Sequence, residues 1–400
     1  MPFLEFLFLG RNEKALDHFS VRFLIILPFF LSINSDSFGQ NKRVDVFVSN
    51  GVFTSDSIIS TVLKTWEAFL NSYPDSNYDN PYWNADEKLR YKTFDLSSDV
   101  FYPSLYVMMQ SYKPTVLSIT EEKPYYKIRT MYASISDSNF ADPLAIQEVY
   151  AKRGNGAFKL YNALPIRTKT WRHETIGSVT FIFPSYHRFN RELAKRMSLF
   201  ADSLSDLAET KPIPVDFYFA DSYDELMKAR GLDYYLGEGN ASGTSGQSWT
   251  DNQIIFGAGT NEWYPHELVH IYFCPRYPKM HPYFSEGIAT MLGGTRGMSL
   301  TQLIRHADTL LRADTSIRFD SLLYSWNINL DYVTGAPYLV GGLLSKMALD
   351  MGGWPLVKKL LINYDNSPDG LLQAVKDTFN VRREDYDHFI KQKISEYSVK

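Results

Sequence analysis

Two histidines four residues apart, His266 and His270, stand in the stretch Trp263-Tyr-Pro-His-Glu-Leu-Val-His-Ile-Tyr272, with Glu267 directly after the first. On a helix this spacing puts both imidazoles on one face, a turn apart, so both can reach one ion. Glu267 is then able to approach a water on that ion without binding the ion itself. This is the HExxH pattern by which zinc is held for hydrolysis. The alternative is a buried helix whose histidines bond to backbone carbonyls. A catalytic zinc needs a third protein ligand and an open position. Pro282-Tyr-Phe-Ser-Glu-Gly-Ile-Ala-Thr-Met-Leu292 offers Glu286 at the start of a second helical segment. The ligand set would be His266, His270 and Glu286, for one Zn2+ per chain. Glu286 on its own could equally be a first-turn glutamate favoured by the helix dipole.

The elements that must position these residues are legible around them. Pro265 falls in the first turn of the first helix, where proline is tolerated, and Pro275 follows its end. A loop with Pro275, Pro278 and Pro282 would let the two helices pack side by side, and Gly293-Gly294 closes the second. Asn252-Gln-Ile-Ile-Phe-Gly-Ala-Gly259 reads as a strand leading into the first helix. Gly237-Glu-Gly-Asn-Ala-Ser-Gly-Thr-Ser-Gly-Gln-Ser248 reads as a glycine- and serine-rich loop, without GxGxxG spacing or a Walker lysine. Cys274 is the one cysteine, so no intramolecular disulfide can form; it reads as a buried, inert thiol.

With HELVH and, some 15 residues on, Ser-Glu-Gly-Ile-Ala, the chain resembles the gluzincin metallopeptidases, the thermolysin-like and M1-like group, over about His187 to Lys400. The resemblance implies a zinc peptidase with Glu267 as general base. It makes Ile254 to Gly259 the edge strand lining the cleft, where a substrate backbone could add as a further strand. It also implies an oxyanion donor across the cleft. Tyr338-Leu-Val-Gly-Gly-Leu-Leu-Ser-Lys-Met-Ala-Leu349 is similar to the Tyr-x-x-Gly helix that carries this donor in M1-like enzymes, with Pro337 at its start; His281, in the loop between the ligands, is the rival donor. The chain departs from the group in two places. Thermolysin-like enzymes have an aspartate four residues after the ligand glutamate, orienting a zinc histidine; Thr290 stands here, and its hydroxyl could do a weaker version of that job. The aminopeptidase signature Gly-Ala-Met-Glu-Asn is absent, with Gly257-Ala-Gly-Thr-Asn261 in the nearest place.

The remainder sets the frame. A chain of 400 residues suggests two domains, and 44% hydrophobic with 22% charged residues is ordinary globular composition. Net charge is −4 with the signs interspersed, which disfavours a nucleic-acid surface. Val21-Arg-Phe-Leu-Ile-Ile-Leu-Pro-Phe-Phe-Leu-Ser32 is a basic residue followed by an apolar run of about 11 residues, and Ser37-Phe-Gly39 fits cleavage before Gln40. Residues 1–39 therefore read as a signal peptide, with a translation start nearer Val21 accounting for the leader ahead of it. A secreted or periplasmic protein with no transmembrane segment follows. Residues 40–185 are expected to form an α+β accessory domain. Helical spacing over Ser55 to Leu70 lies behind a serine cap, with strands at Tyr125–Tyr132, Leu144–Tyr150, Ala157–Tyr161 and Gly177–Phe183. This helix on a curved antiparallel sheet is loosely similar to cystatin-like or NTF2-like cones. Residues 186–400 would be the mainly helical, zincin-like domain with a small sheet, making the fold class α+β. The partner would be a peptide or protein substrate. The competing functions are a binding protein on a gluzincin scaffold, and a zinc hydrolase of non-peptide amides or esters. Endo- and exo-cleavage, and the oligomeric state, both remain open in the sequence.

Overall fold

The computed structural model describes residues 43–399, apart from 73–79, 92–100, 102–104, 136–139, 155, 240–244, 324–328, 332 and 363. Residues 1–39, read as a signal peptide, lie outside the described residues. The fold is α+β with two sheets. The described chain divides into two compact units, one holding residues up to 170 together with 224–242, the other 171–223 and 243 onward. In chain order the strands are β1 (Phe47–Val48), β2 (Lys113–Glu122), β3 (Tyr125–Ile135), β4 (Ala141–Gly154), β5 (Ala157–Tyr161), β6 (Arg172–Ile176), β7 (Val179–Phe183), β8 (Val215–Ala220), β9 (Leu232–Tyr235), β10 (Ser245–Trp249) and β11 (Ile254–Ala258).

In the first unit β1 to β5 lie side by side in sequence order, and β9 pairs with β4. The β2–β3, β3–β4 and β4–β5 pairs are antiparallel; β1 joins β2 in parallel. Helix α1 (Ser57–Leu70) buries Val62, Leu63, Trp66, Phe69 and Leu70. It is docked on the sheet by a buried bond from Trp66 Nε1 to Thr130 Oγ1, 2.8 Å long. Its cap is Asp56, one residue past the serine expected from sequence; the Asp56 carboxylate accepts from the Ile58 and Ile59 amides at 2.7 and 3.0 Å. A carboxylate here satisfies two orphan N–H groups and also favours the positive helix end.

The sheet of the second unit runs β10-β11-β8-β7-β6. β7, β8 and β11 are mutually parallel, and both outer strands are antiparallel to them. This arrangement corrects two sequence expectations. The strand at Gly177–Phe183 was assigned to the first unit, which was expected to reach residue 185. It pairs instead with β8, Phe181 opposite Phe217, so the second unit starts near residue 171. The edge strand is not Ile254–Gly259 either. β11 is covered by β10, whose residues were read as the end of the glycine- and serine-rich loop, with Gly246 opposite Gly257.

Phe181, Phe183, Phe217 and Phe219 form the apolar floor of this unit, packed with Ala194, Met197, Ala201 and Leu204 of α2 (Arg191–Leu207). The site is built on α3 (Pro265–Phe273), α4 (Pro282–Gly293) and α6 (Ala336–Leu360), with α5 (Leu300–Ala313) and α7 (Tyr386–Ser398) behind them. Every residue of α3 is buried. A helix enclosed on all sides is held by packing rather than propensity, and its side chains have little freedom to drift. Among the described residues, no helix is long and apolar enough to cross a membrane.

Candidate metal centre

The short helix α3 presents His266 and His270 on one face, as i, i+4 spacing requires. Glu286, in the first half of α4, meets them from the neighbouring helix. His266 Nε2 lies 3.2 Å from Glu286 Oε2, His270 Nε2 lies 3.7 Å from the same oxygen, and the two Nε2 atoms are 3.3 Å apart. These three residues are the one group of three or more His, Cys, Asp or Glu side chains, among the described residues, whose ligand atoms converge closely enough to hold an ion. Two tetrahedral zinc ligands at 2.0–2.1 Å are themselves about 3.3 Å apart. The three edges of the triangle fit that geometry.

The outward nitrogen of each ring fixes which lone pair faces inward. His266 Nδ1 donates to the Gly294 carbonyl at 2.6 Å, leaving Nε2 turned to the cluster. His270 Nδ1 lies 3.3 Å from Ser285 Oγ and 3.6 Å from Cys274 Sγ. Partners of this kind set the tautomer and aim of a ligating imidazole. Burial pushes both imidazoles down, but Glu286, helped by Glu267 at His266 and by Cys274 at His270, outweighs it and both sit above the ordinary histidine range, His270 further. Burial likewise raises Glu286, yet the two rings hold its carboxyl well below the usual range. The cluster therefore keeps an ionised carboxylate among nitrogens whose protons a cation would displace. Two imidazoles and a carboxylate are a donor set suited to zinc.

The remaining expected residues separate sharply. Glu267 is buried next to His266, and no hydrogen bond is made to its carboxylate by any described residue. Tyr338 is buried at the start of α6 with its ring 5.8 Å from that of His266. It is brought there by a close helix crossing. A Cβ on Gly287 would fall 2.2 Å from the Gly341 carbonyl carbon, and one on Gly341 would fall 1.7 Å from the Tyr283 oxygen. The glycine three residues after Tyr338 thus has a physical reason: only bare backbone lets α6 touch α4.

His281 does not face the cluster. Its Nδ1 accepts the Tyr283 amide at 3.2 Å as the cap of α4, its Nε2 donates to the Ser367 carbonyl at 3.2 Å, and burial pushes it down to about 4. With both nitrogens committed to backbone, it is a cap rather than an oxyanion donor. Thr290 orients no histidine. It is fully buried and its hydroxyl has no hydrogen-bond partner among the described residues. The Gly294 carbonyl does that work for His266, because a Cβ on Gly293 would lie 2.8 Å from His266 Cα, so that the end of α4 is pressed against the start of α3. Cys274 is half-buried rather than fully buried, packed against the core and lying beside His270 and Ser285. From sequence Gly294 is only the close of the second helix, and neither Ser285 nor Arg296 stands out. Ser285 adjoins Glu286, and that adjacency was the available signal.

No protein-family model matches the chain, and no curated protein matches it by sequence. Among solved structures the chain is similar to an M1 zinc metallopeptidase from Deinococcus radiodurans, with TM-score 0.29 and 12% identity over 72% of this chain and 64% of that one. A single-site variant from the same organism gives 0.31 and 12%, over 72% and 65%. A two-domain M1 zinc metallopeptidase variant bound to L-arginine gives 0.28 and 11%, over 72% and 64%. The chain spans less than two thirds of the length of these neighbours. At so low a TM-score the functional reading rests on the site's own geometry.

Proposed function

We propose that this chain is a zinc-dependent peptidase, with His266, His270 and Glu286 holding the metal. The observation that carries the reading is the convergence of two imidazole Nε2 atoms and one carboxylate oxygen, 3.2 to 3.7 Å apart, beside a buried glutamate whose carboxylate is hydrogen-bonded by no described residue. Bound there, zinc would lower the pKa of a water and polarise a carbonyl. The protein's own groups supply the rest. Glu267, adjacent to a ligand and not itself one, takes the proton of the attacking water and delivers it to the leaving amine. Tyr338, against the His266 ring, donates to the oxyanion as it develops. Among the described residues β10 is an outer strand of its sheet, a place where a peptide backbone could add as a further strand, which favours peptide over other amides. Gly294 and Ser285 hold the imidazoles in aim.

The reading extends to export: the amino-terminal basic and apolar run would be removed and the mature chain would begin near Gln40, which sequencing of the secreted protein's amino terminus tests. The central test is metal content and turnover measured together. Wild type should carry one zinc per chain, and Glu267→Gln should keep the zinc while losing about 100- to 10,000-fold in turnover. Zinc with no hydrolysis of any peptide in wild type would turn the reading to a binding protein, and no zinc in metal-replete wild type would remove it.

A further inference from the structure

The turn that follows α4 holds an arginine in an unusual place. Thr295 and Met298 close a tight hairpin, and between them Arg296 has φ 49, in the left-handed region. A residue with a Cβ is strained there, and residues held in such conformations cluster at active sites and ligand clamps. The turn is tied to the metal centre at its root: Gly294, two residues earlier, accepts the His266 Nδ1–H at 2.6 Å. The Arg296 guanidinium is itself delivered over the Tyr338 ring, 5.7 Å from its centroid, and that ring is 5.8 Å from the ring of His266. A guanidinium therefore stands one aromatic ring away from the ligand cluster.

We propose that Arg296 is a specificity-determining residue that receives a carboxylate of the substrate near the scissile bond. The proposal rests on the peptidase reading and deepens it by naming the substrate class. A guanidinium presents a planar fork matched to a carboxylate. One extended residue spans about 3.5 Å and a single aromatic ring separates the guanidinium from the His266 ring, so the group recognised lies within a few residues of the cleaved bond. Two sources share this chemistry: the free carboxyl terminus of the peptide, which would make the enzyme cut close to that end, and an aspartate or glutamate side chain in a longer peptide. Tyr338, whose ring lies near both Arg296 and His266, would then link recognition of the carboxylate to the position of its own hydroxyl.

The test reads binding apart from turnover. Zinc-loaded Glu267→Gln protein, with Arg296 intact or as Arg296→Gln, is titrated calorimetrically with four forms of one peptide: free or amidated carboxyl terminus, each with glutamate or glutamine beside the central bond. With Arg296 intact, one carboxylate should tighten binding by roughly 10- to 100-fold over its amide, and Arg296→Gln should abolish that ratio while leaving the amidated glutamine peptide within about twofold. A ratio that follows the terminus assigns the terminal carboxylate; one that follows the glutamate assigns the side chain. Equal binding of all four forms, no binding of any, or a ratio that survives Arg296→Gln overturns the proposal. Hydrolysis of the same peptides by otherwise wild-type protein keeps the two readings apart. Turnover without the ratio sinks only the role of Arg296, and the ratio without turnover sinks only the peptidase.

Discussion

Two histidine–carboxylate clusters sit in the same unit and have opposite characters. At the candidate metal centre, His266, His270 and Glu286 turn one atom each toward one point, and the outer nitrogens of the two histidines go to Gly294 and Ser285. At the other, His187 is spread between two carboxylates, with Nε2 donating to Glu262 at 3.0 Å and Nδ1 lying 3.6 Å from Asp221. The Glu262 oxygen that His187 reaches also accepts the Asn190 amide at 2.7 Å, where it holds the entry to α2. Its capacity is spent within the protein. The residue types are nearly the same in both places. What separates a metal site from a structural clamp is whether the lone pairs converge or are already shared out, and that depends on which nitrogen each ring gives to its second partner.

Paired substitutions break the comparison if it is false. His270→Asn should lower zinc affinity more than about 100-fold, beyond what the loss of an outer partner costs. His187→Phe should leave zinc content unchanged and cost about 1–3 kcal/mol of stability, because buried Glu262 loses a donor. Metal analysis and urea unfolding of both proteins check this, and zinc lost from His187→Phe would sink the distinction.

The next effect in size concerns how the centre is assembled. Gly341→Ala would drive a Cβ into the Tyr283 carbonyl, forcing α6 away from α4. We expect about 1–3 kcal/mol of destabilisation and a fall in turnover larger than the fall in zinc content, since Tyr338 rides on the helix that moves while the ligands do not. Equal falls in the two would mean that Tyr338 takes no part.

His281 sharpens the comparison from a third side, as a histidine with both nitrogens bound to backbone. Its folded pKa, pushed to about 4 by burial, lies below the ordinary value of 6.5. As pH falls from 6.5 to 4 the unfolded chain takes up a proton that the folded chain refuses. Stability from this group is therefore complete above pH 6.5 and lost progressively down to pH 4, by about 3 kcal/mol in total. His281→Asn keeps a cap acceptor and removes the titration. Urea unfolding across this range should show a shallower acid slope in the variant than in wild type; parallel slopes would refute the assignment.

The parts of the molecule set by short-range spacing were legible in the sequence. His266 and His270 share a face because a helix repeats every 3.6 residues, and Glu286 and Tyr338 each open a segment with clear helical patterning. What escaped was decided by partners far along the chain. Ser245–Trp249 has no alternation and Trp249 as its one large apolar residue, and is a strand because β11 lies beside it. Val179–Phe183 reads correctly as a strand, but its sheet is chosen by Val215–Ala220. His281 looked like an open-loop donor because nothing local shows that the Ser367 carbonyl arrives on its far side. The histidine-orienting role given to Thr290 comes from resemblance, and the backbone carbonyl of Gly294 fills it for His266.

Thr290 gives the smallest effect and the cleanest contrast with the ligand cluster. A hydroxyl that orients a metal ligand cannot be removed without disturbing the metal. A hydroxyl buried with no partner is a liability, since it was stripped of water and received nothing in return. Thr290 Oγ1 is of the second kind, and its methyl lies 3.5 Å from where a Cβ on Gly342 would be, so the side chain acts as packing between α4 and α6. Thr290→Val keeps the shape and exchanges the hydroxyl for a methyl. We expect stability to be unchanged or to rise by up to about 1 kcal/mol, with zinc affinity and turnover within twofold of wild type. A tenfold loss of zinc would return Thr290 to the role of histidine orienter and would mean that the Gly294 carbonyl does not hold His266 unaided.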